Sequence, residues 1–142
     1  SGKTVLFGGM VLGSPARASN EIWLYDGVDW TLRLLASNAA ADVGMCEDLA
    51  RFHIVMFGGN SGGSALRDTF EWDGIEWTRR TPTQSPPALW FASMALDPVS
   101  RRILMVGGNP MSTVTSTWAF SPNSAAMIPH KKPTSMECCN TF

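Results

Sequence analysis

The side chains able to do chemistry in this 142-residue chain are few and scattered. Outside the carboxylates and hydroxyls they are two histidines (His53, His130), three cysteines (Cys46, Cys138, Cys139) and one tyrosine, Tyr25. A zinc or copper centre needs three or four converging donors, and the histidines lie too far apart in a histidine-poor chain to suggest one. His53 stands inside the apolar run Phe52 to Phe57, where it reads as a packed, hydrogen-bonded side chain. Adjacent Cys138 and Cys139 lack a Cys-x-x-Cys partner, and strand neighbours point to opposite faces, so they read as ordinary thiols. No cofactor and no metal are expected.

Glu47 with Asp48, or Asp97, would be the acid and base of a catalytic pair. Their setting says otherwise. Glu47-Asp48-Leu49-Ala50-Arg51 and Asp97-Pro98-Val99-Ser100-Arg101 share one pattern, an aspartate that starts a turn and an arginine that closes it. Asp26 and Asp73, each followed by glycine, read as hairpin residues on the same ground. No catalytic residue is therefore assigned.

The turns belong to a repeat. Hydrophobic runs lead into three glycine pairs, Gly8-Gly9, Gly58-Gly59 and Gly107-Gly108, at spacings of 50 and 49 residues. Each of the first two is followed by an aromatic, Asp-Gly and a tryptophan: Tyr25-Asp26-Gly27 with Trp30, and Trp72-Asp73-Gly74 with Trp77. Met45 precedes Gly58, and Met94 precedes Gly107, by the same 13 residues. A period of this size marks a propeller blade or a solenoid unit. Between the landmarks lie short segments rich in Val, Ile, Phe, Trp and Thr, bounded by Gly, Asn, Asp and Pro, as strands are. The runs Val5 to Phe7, Ile54 to Phe57 and Ile103 to Val106 are continuously apolar, which predicts strands covered on both faces. The glycine pairs read as packing and backbone devices rather than a phosphate loop, since no Gly-x-Gly-x-x-Gly or Gly-Lys-Ser accompanies them.

At these residues the chain resembles the kelch repeat over about residues 3 to 130. The resemblance implies an all-β fold of kelch-type β-propeller blades, three four-stranded antiparallel blades per chain, half of a six-bladed ring. The chain is expected to be a single domain, residues 1–142. Blade 1 covers about 3–35 plus a strand at about 134–140, blade 2 about 43–82 and blade 3 about 90–130. In blade 3, Ala125 stands where Trp30 and Trp77 stand, and Thr117 to Pro122 replaces the aromatic with Asp-Gly. Trp30 and Trp77 are expected to be buried between blades. Galactose oxidase, a copper enzyme with a kelch-type domain, needs tyrosine and histidine ligands, and Tyr25 belongs to the repeat pattern, so that activity does not carry over.

A net charge of -1 with scattered basic residues argues against nucleic acid and anionic membrane as partners. No apolar run approaches the roughly 20 residues of a membrane span. The first residues show no signal-peptide pattern and the cysteine count is odd, which together favour a reducing, cytoplasmic setting.

In an up-and-down blade the one-two and three-four turns share one rim, short and repetitive here, while longer and varied loops share the other. Binding residues concentrate on variable loops over a rigid scaffold. The ligand-binding candidates are accordingly Arg17, Asn20, Asn60, Ser61, Arg67, Asn109 and Ser112, with Trp90, suited to an acidic peptide, a carboxylate or a sugar. A non-catalytic binding module is the favoured reading. The alternatives are a small carbohydrate-active enzyme of the kelch mutarotase type, or a fragment of a longer kelch protein. The chain starts in a second strand, and Ser135 to Asn140 resembles the first-strand segments at Gly44 and Ser93. A homodimer is therefore expected, each tail completing the other chain's first blade to close a six-bladed propeller.

Overall fold

The computed structural model describes residues 2–33, 40–110, 117–121 and 126–130. The tail segment 134–140 and Ser112 lie outside them. Fifteen strands follow in chain order, with no helix among the described residues. They are β1 (Thr4–Phe7), β2 (Met10–Val11), β3 (Arg17–Ala18), β4 (Ile22–Tyr25), β5 (Trp30–Arg33), β6 (Gly44–Asp48), β7 (His53–Phe57), β8 (Asn60–Ser61), β9 (Ser64–Ala65), β10 (Thr69–Trp72), β11 (Trp77–Arg80), β12 (Leu89–Asp97), β13 (Arg102–Pro110), β14 (Thr117–Ser121) and β15 (Ala126–His130).

These form three main antiparallel sheets. Sheet 1 has the order β1-β4-β5, sheet 2 β6-β7-β10-β11 and sheet 3 β12-β13-β14-β15. Two small hairpins, β2-β3 and β8-β9, stand beside them. The fold is all-β, as the sequence predicts, and sheets 2 and 3 are four-stranded meanders in which each strand pairs with the next.

The sheets pack face to face in chain order. Phe7, Ile22 and Leu24 of sheet 1 meet Met56, Phe70 and Trp72 of sheet 2. Val55 and Phe57, on the opposite face of β7, meet Ile103, Met105, Phe120 and Met127 of sheet 3. Alternation along β7 thus sends neighbouring apolar residues to two different cores, which explains its unbroken hydrophobic run.

The ends of the stack differ from its middle. Leu6 is 53% exposed, whereas Met56, at the same repeat position, is 4% exposed. Val106 is 46% exposed, whereas its equivalent Phe57 is fully buried. The expectation that all three apolar runs are covered on both faces holds for β7 and fails for β1 and β13, because among the described residues no sheet packs on the outer face of the first or of the third. Trp30 is corrected for the same reason. It is 43% exposed, resting on Tyr25 at 5.1 Å. Trp77, by contrast, is half-buried against Phe7 and Trp72, with ring centres 5.7 and 5.5 Å away. In sheet 3 the ladder puts Met127 opposite Phe120, as Trp77 is opposite Trp72, so buried Met127 and not Ala125 occupies the tryptophan position.

The glycine pairs act at the joints between sheets. Gly58 has φ +67°, and a Cβ there would lie 2.3 Å from the Leu89 carbonyl oxygen. Gly59 N–H donates to that same oxygen at 2.8 Å, tying sheet 2 to the start of sheet 3. Gly8 and Gly9 repeat the arrangement against the carbonyl of Ala40. Gly107 has the same conformation, φ +72°, but its Cβ position meets no atom of the described residues within 4 Å.

Candidate functional site

The strand registers carry every described loop candidate to one end of the stack. Asn20 precedes Ile22, which pairs with Phe7, and Arg67 precedes Thr69, which pairs with Phe57. Trp90 and Asn109 pair with each other at the same end of sheet 3. Arg17 lies on β3 and Asn60 and Ser61 on β8, and these two strands are neighbours. Arg17 and Arg67 are exposed and form no ion pair among the described residues. Asn60 has a local task, since its Oδ1 accepts from Gly63 N–H at 2.9 Å and holds the β8-β9 tip. Trp90 is half-buried, 6.4 Å from the Phe91 ring.

The opposite end carries the short turns, built as the sequence predicts. Asp26 Oδ1 accepts from the N–H groups of Val28 and Asp29, and Asp73 Oδ1 from those of Ile75 and Glu76, at 2.8 to 3.0 Å. These backbone hydrogen bonds hold both carboxyls below the usual aspartate range. In the β6-β7 turn, Asp48 accepts from Ala50 N–H and from Arg51 Nε, and in the β12-β13 turn Asp97 accepts from Val99 N–H, Ser100 N–H and the Ser100 hydroxyl. Arg51 and Arg101 N–H close the two turns on the carbonyls of Asp48 and Asp97.

Sequence reasoning missed the buried carboxylate beneath these turns. Glu71 is 2% exposed. Arg51 Nη2 donates to its Oε1 at 2.9 Å and Arg80 Nε to its Oε2 at 2.8 Å. His53 Nδ1 lies 3.7 Å from Oε2 and, contrary to the expected hydrogen-bonded side chain, has no hydrogen-bond partner among the described residues. Burial pushes the Glu71 carboxyl up, but the hydrogen bonds and charges of the two arginines outweigh it and hold the group below its ordinary range. Arg51, pushed down by burial and up by Glu71 and Asp48, ends above its ordinary range. A carboxylate held ionised between two guanidiniums is a poor proton acceptor, so Glu71 reads as an internal tie rather than a general base. Its signal was present in the chain. The registers align Glu71 with Leu24 in sheet 1 and Ala119 in sheet 3, so a charge replaces an apolar side chain at one repeat position.

Two clefts open between the short turns of sheets 2 and 3. One, of about 500 Å³, is lined by Asp48, Ala50, Arg51, Ser100, Arg101, Arg102 and Ser121. The other, of about 290 Å³, shares Asp48, Ala50 and Arg101 and adds Leu49, Leu96 and Pro98. None of the predicted loop residues lines either cleft. Burial pushes the Cys46 thiol up, away from the thiolate a nucleophile needs. Among the described residues no three His, Cys, Asp or Glu side chains are grouped to hold a metal ion.

No protein-family model matches the chain, and no curated protein matches it.

Proposed function

We propose that the chain is a non-catalytic binding module of kelch type, whose three sheets are blades of a β-propeller and whose long-loop end receives an acidic peptide, a carboxylate or a sugar. Gly107 carries this reading. Its backbone repeats that of Gly8 and Gly58, yet no described residue stands where their neighbouring carbonyl sits. Next to it, Val106 presents apolar surface to water, and at the other end of the stack Leu6 and Trp30 do the same. The forward face of sheet 3 and the rear face of sheet 1 are therefore the two halves of a joint used twice inside the chain.

A second copy related by a two-fold axis supplies both missing halves, giving a six-bladed ring. Among the described residues β1 pairs only with β4, which adds a place for one more strand at its edge. The tail at 134–140 is the proposed occupant.

Loop-end binding is supported by the two uncommitted guanidiniums, Arg17 and Arg67, on the more variable rim. Ligand-observed NMR against a glutamate-rich peptide, succinate and glucose tests it. Arg17→Ala and Arg67→Ala are expected to weaken binding of the anionic probes while moving stability by less than about 0.5 kcal/mol. Turnover of a sugar, or anion binding indifferent to both substitutions, would refute the reading.

A further inference from the structure

We infer that the groove between the short turns of sheets 2 and 3 is a second ligand site, which takes a small oxyanion, a carboxylate or a phosphate monoester, attached to an apolar body. It lies at the end opposite the loop candidates and does not depend on them.

Donor accounting carries the inference. Three guanidiniums line this groove, those of Arg51, Arg101 and Arg102, beside the Asp48 carboxylate, while Arg51 also binds Glu71, which Arg80 shares, and Asp97 heads the turn that carries Ser100. Arg51 and Arg80 spend donors on Glu71 and Asp48, and the Asp97 oxygens accept from the amides of its own turn and from Ser100. Asp97 stands across the ladder from Arg102. Yet neither Arg101 nor Arg102 forms an ion pair with any described residue. Two exposed guanidinium forks thus line one concave space with no ion-pair partner among the described residues, and guanidiniums are the donors that recognise oxyanions.

The adjoining cleft gives the ligand its second property. Leu49, Leu96 and Pro98 form an apolar wall that continues from Arg101, and Leu49 is more than half exposed although it sits in a turn. The polar part, at about 500 Å³, falls in the size range of small-molecule sites, and the apolar part adjoins it. An anionic head between the arginines would place an attached ring or alkyl group on Leu49 and Leu96.

Titration of the full chain with phenyl phosphate and with phenylsuccinate, followed by backbone amide NMR shifts, tests the site, with benzyltrimethylammonium as the cationic control. The expected result is saturable shifts at residues 48–52 and 97–102, absent with the cation. Arg101→Ala and Arg102→Ala should each weaken binding about tenfold, the scale of one charged hydrogen-bonded contact, with an unchanged thermal midpoint. Leu49→Ser should weaken phenyl phosphate more than inorganic phosphate. Binding of one probe and not the other assigns the head group. No saturable shift with either anion, equal shifts with the cation, or shifts untouched by the arginine substitutions would overturn the inference. Shifts at Arg17 and Arg67 instead would leave the loop-end reading standing and remove this one.

Discussion

Gly58→Ala and Gly107→Ala form a matched pair that isolates the contact between successive sheets. Both glycines have φ near +70°, so each alanine incurs the same left-handed backbone cost, about 1 to 2 kcal/mol. Among the described residues only the methyl at Gly58 meets a neighbour, the Leu89 carbonyl oxygen at 2.3 Å, against an ordinary contact nearer 3.5 Å. The backbone of sheet 3 must then retreat by about 1 Å, lengthening the Gly59 to Leu89 hydrogen bond and loosening the packing around Phe57, an overpacking cost of about 1 to 3 kcal/mol. The totals are about 2 to 5 kcal/mol for Gly58→Ala and about 1 to 2 for Gly107→Ala. At about 4 °C per kcal/mol for a chain of this length, the midpoints should fall by roughly 8 to 20 °C and 4 to 8 °C. Circular dichroism melts at a concentration where the chain is monomeric provide the assay. Equal losses for the two variants would show that the glycine pair serves only the turn and not the joint.

Trp77→Ala should cost about 2 to 4 kcal/mol, below a fully buried aromatic because the ring is half-buried, while Trp30→Ala in the monomer should cost less than about 1 kcal/mol; urea unfolding of both compares them. Arg51→Met should destabilise toward the low end of the ~3 to 5 kcal/mol of a broken buried pair, since Arg80 remains with Glu71, and Glu71→Leu, which restores the residue type of Leu24, should cost less than Arg51→Met. Because the folded Glu71 pKa lies below its ordinary value of 4.5, its contribution is present above that pH and is lost as pH falls through the depressed folded value. The acid-side loss of stability should therefore be smaller in Glu71→Gln than in the native chain, as measured by urea midpoints between pH 6 and 2.

Local structure was legible because each turn carries its own chemistry. An aspartate that starts a turn and whose carboxylate accepts from the amides that follow marks that turn by itself, so Asp26, Asp48, Asp73 and Asp97 read as turn residues without any knowledge of their neighbours. The strands and the all-β class followed from residue type and the glycine spacing. What the sequence hid is what lies across a joint. Trp30 and Trp77 occupy one repeat position, yet one faces water and the other an aromatic core, because no described sheet packs on the outer face of sheet 1. Met127 was missed because a slightly longer hairpin moves the tryptophan position two residues on from Ala125. Glu71 was a legible anomaly only once the registers aligned it with Leu24 and Ala119. The described loop candidates share one end, as expected from alternating turns, but Asn60 is committed to its own hairpin.

The half-ring account is tested most directly by the solution mass of the chain, from sedimentation equilibrium across a concentration series. The account predicts a dimer that Leu6→Glu and Val106→Glu, placed on the two open faces, each convert to a folded monomer. A native chain that stays monomeric at high concentration, or a dimer that survives both substitutions, would contradict it.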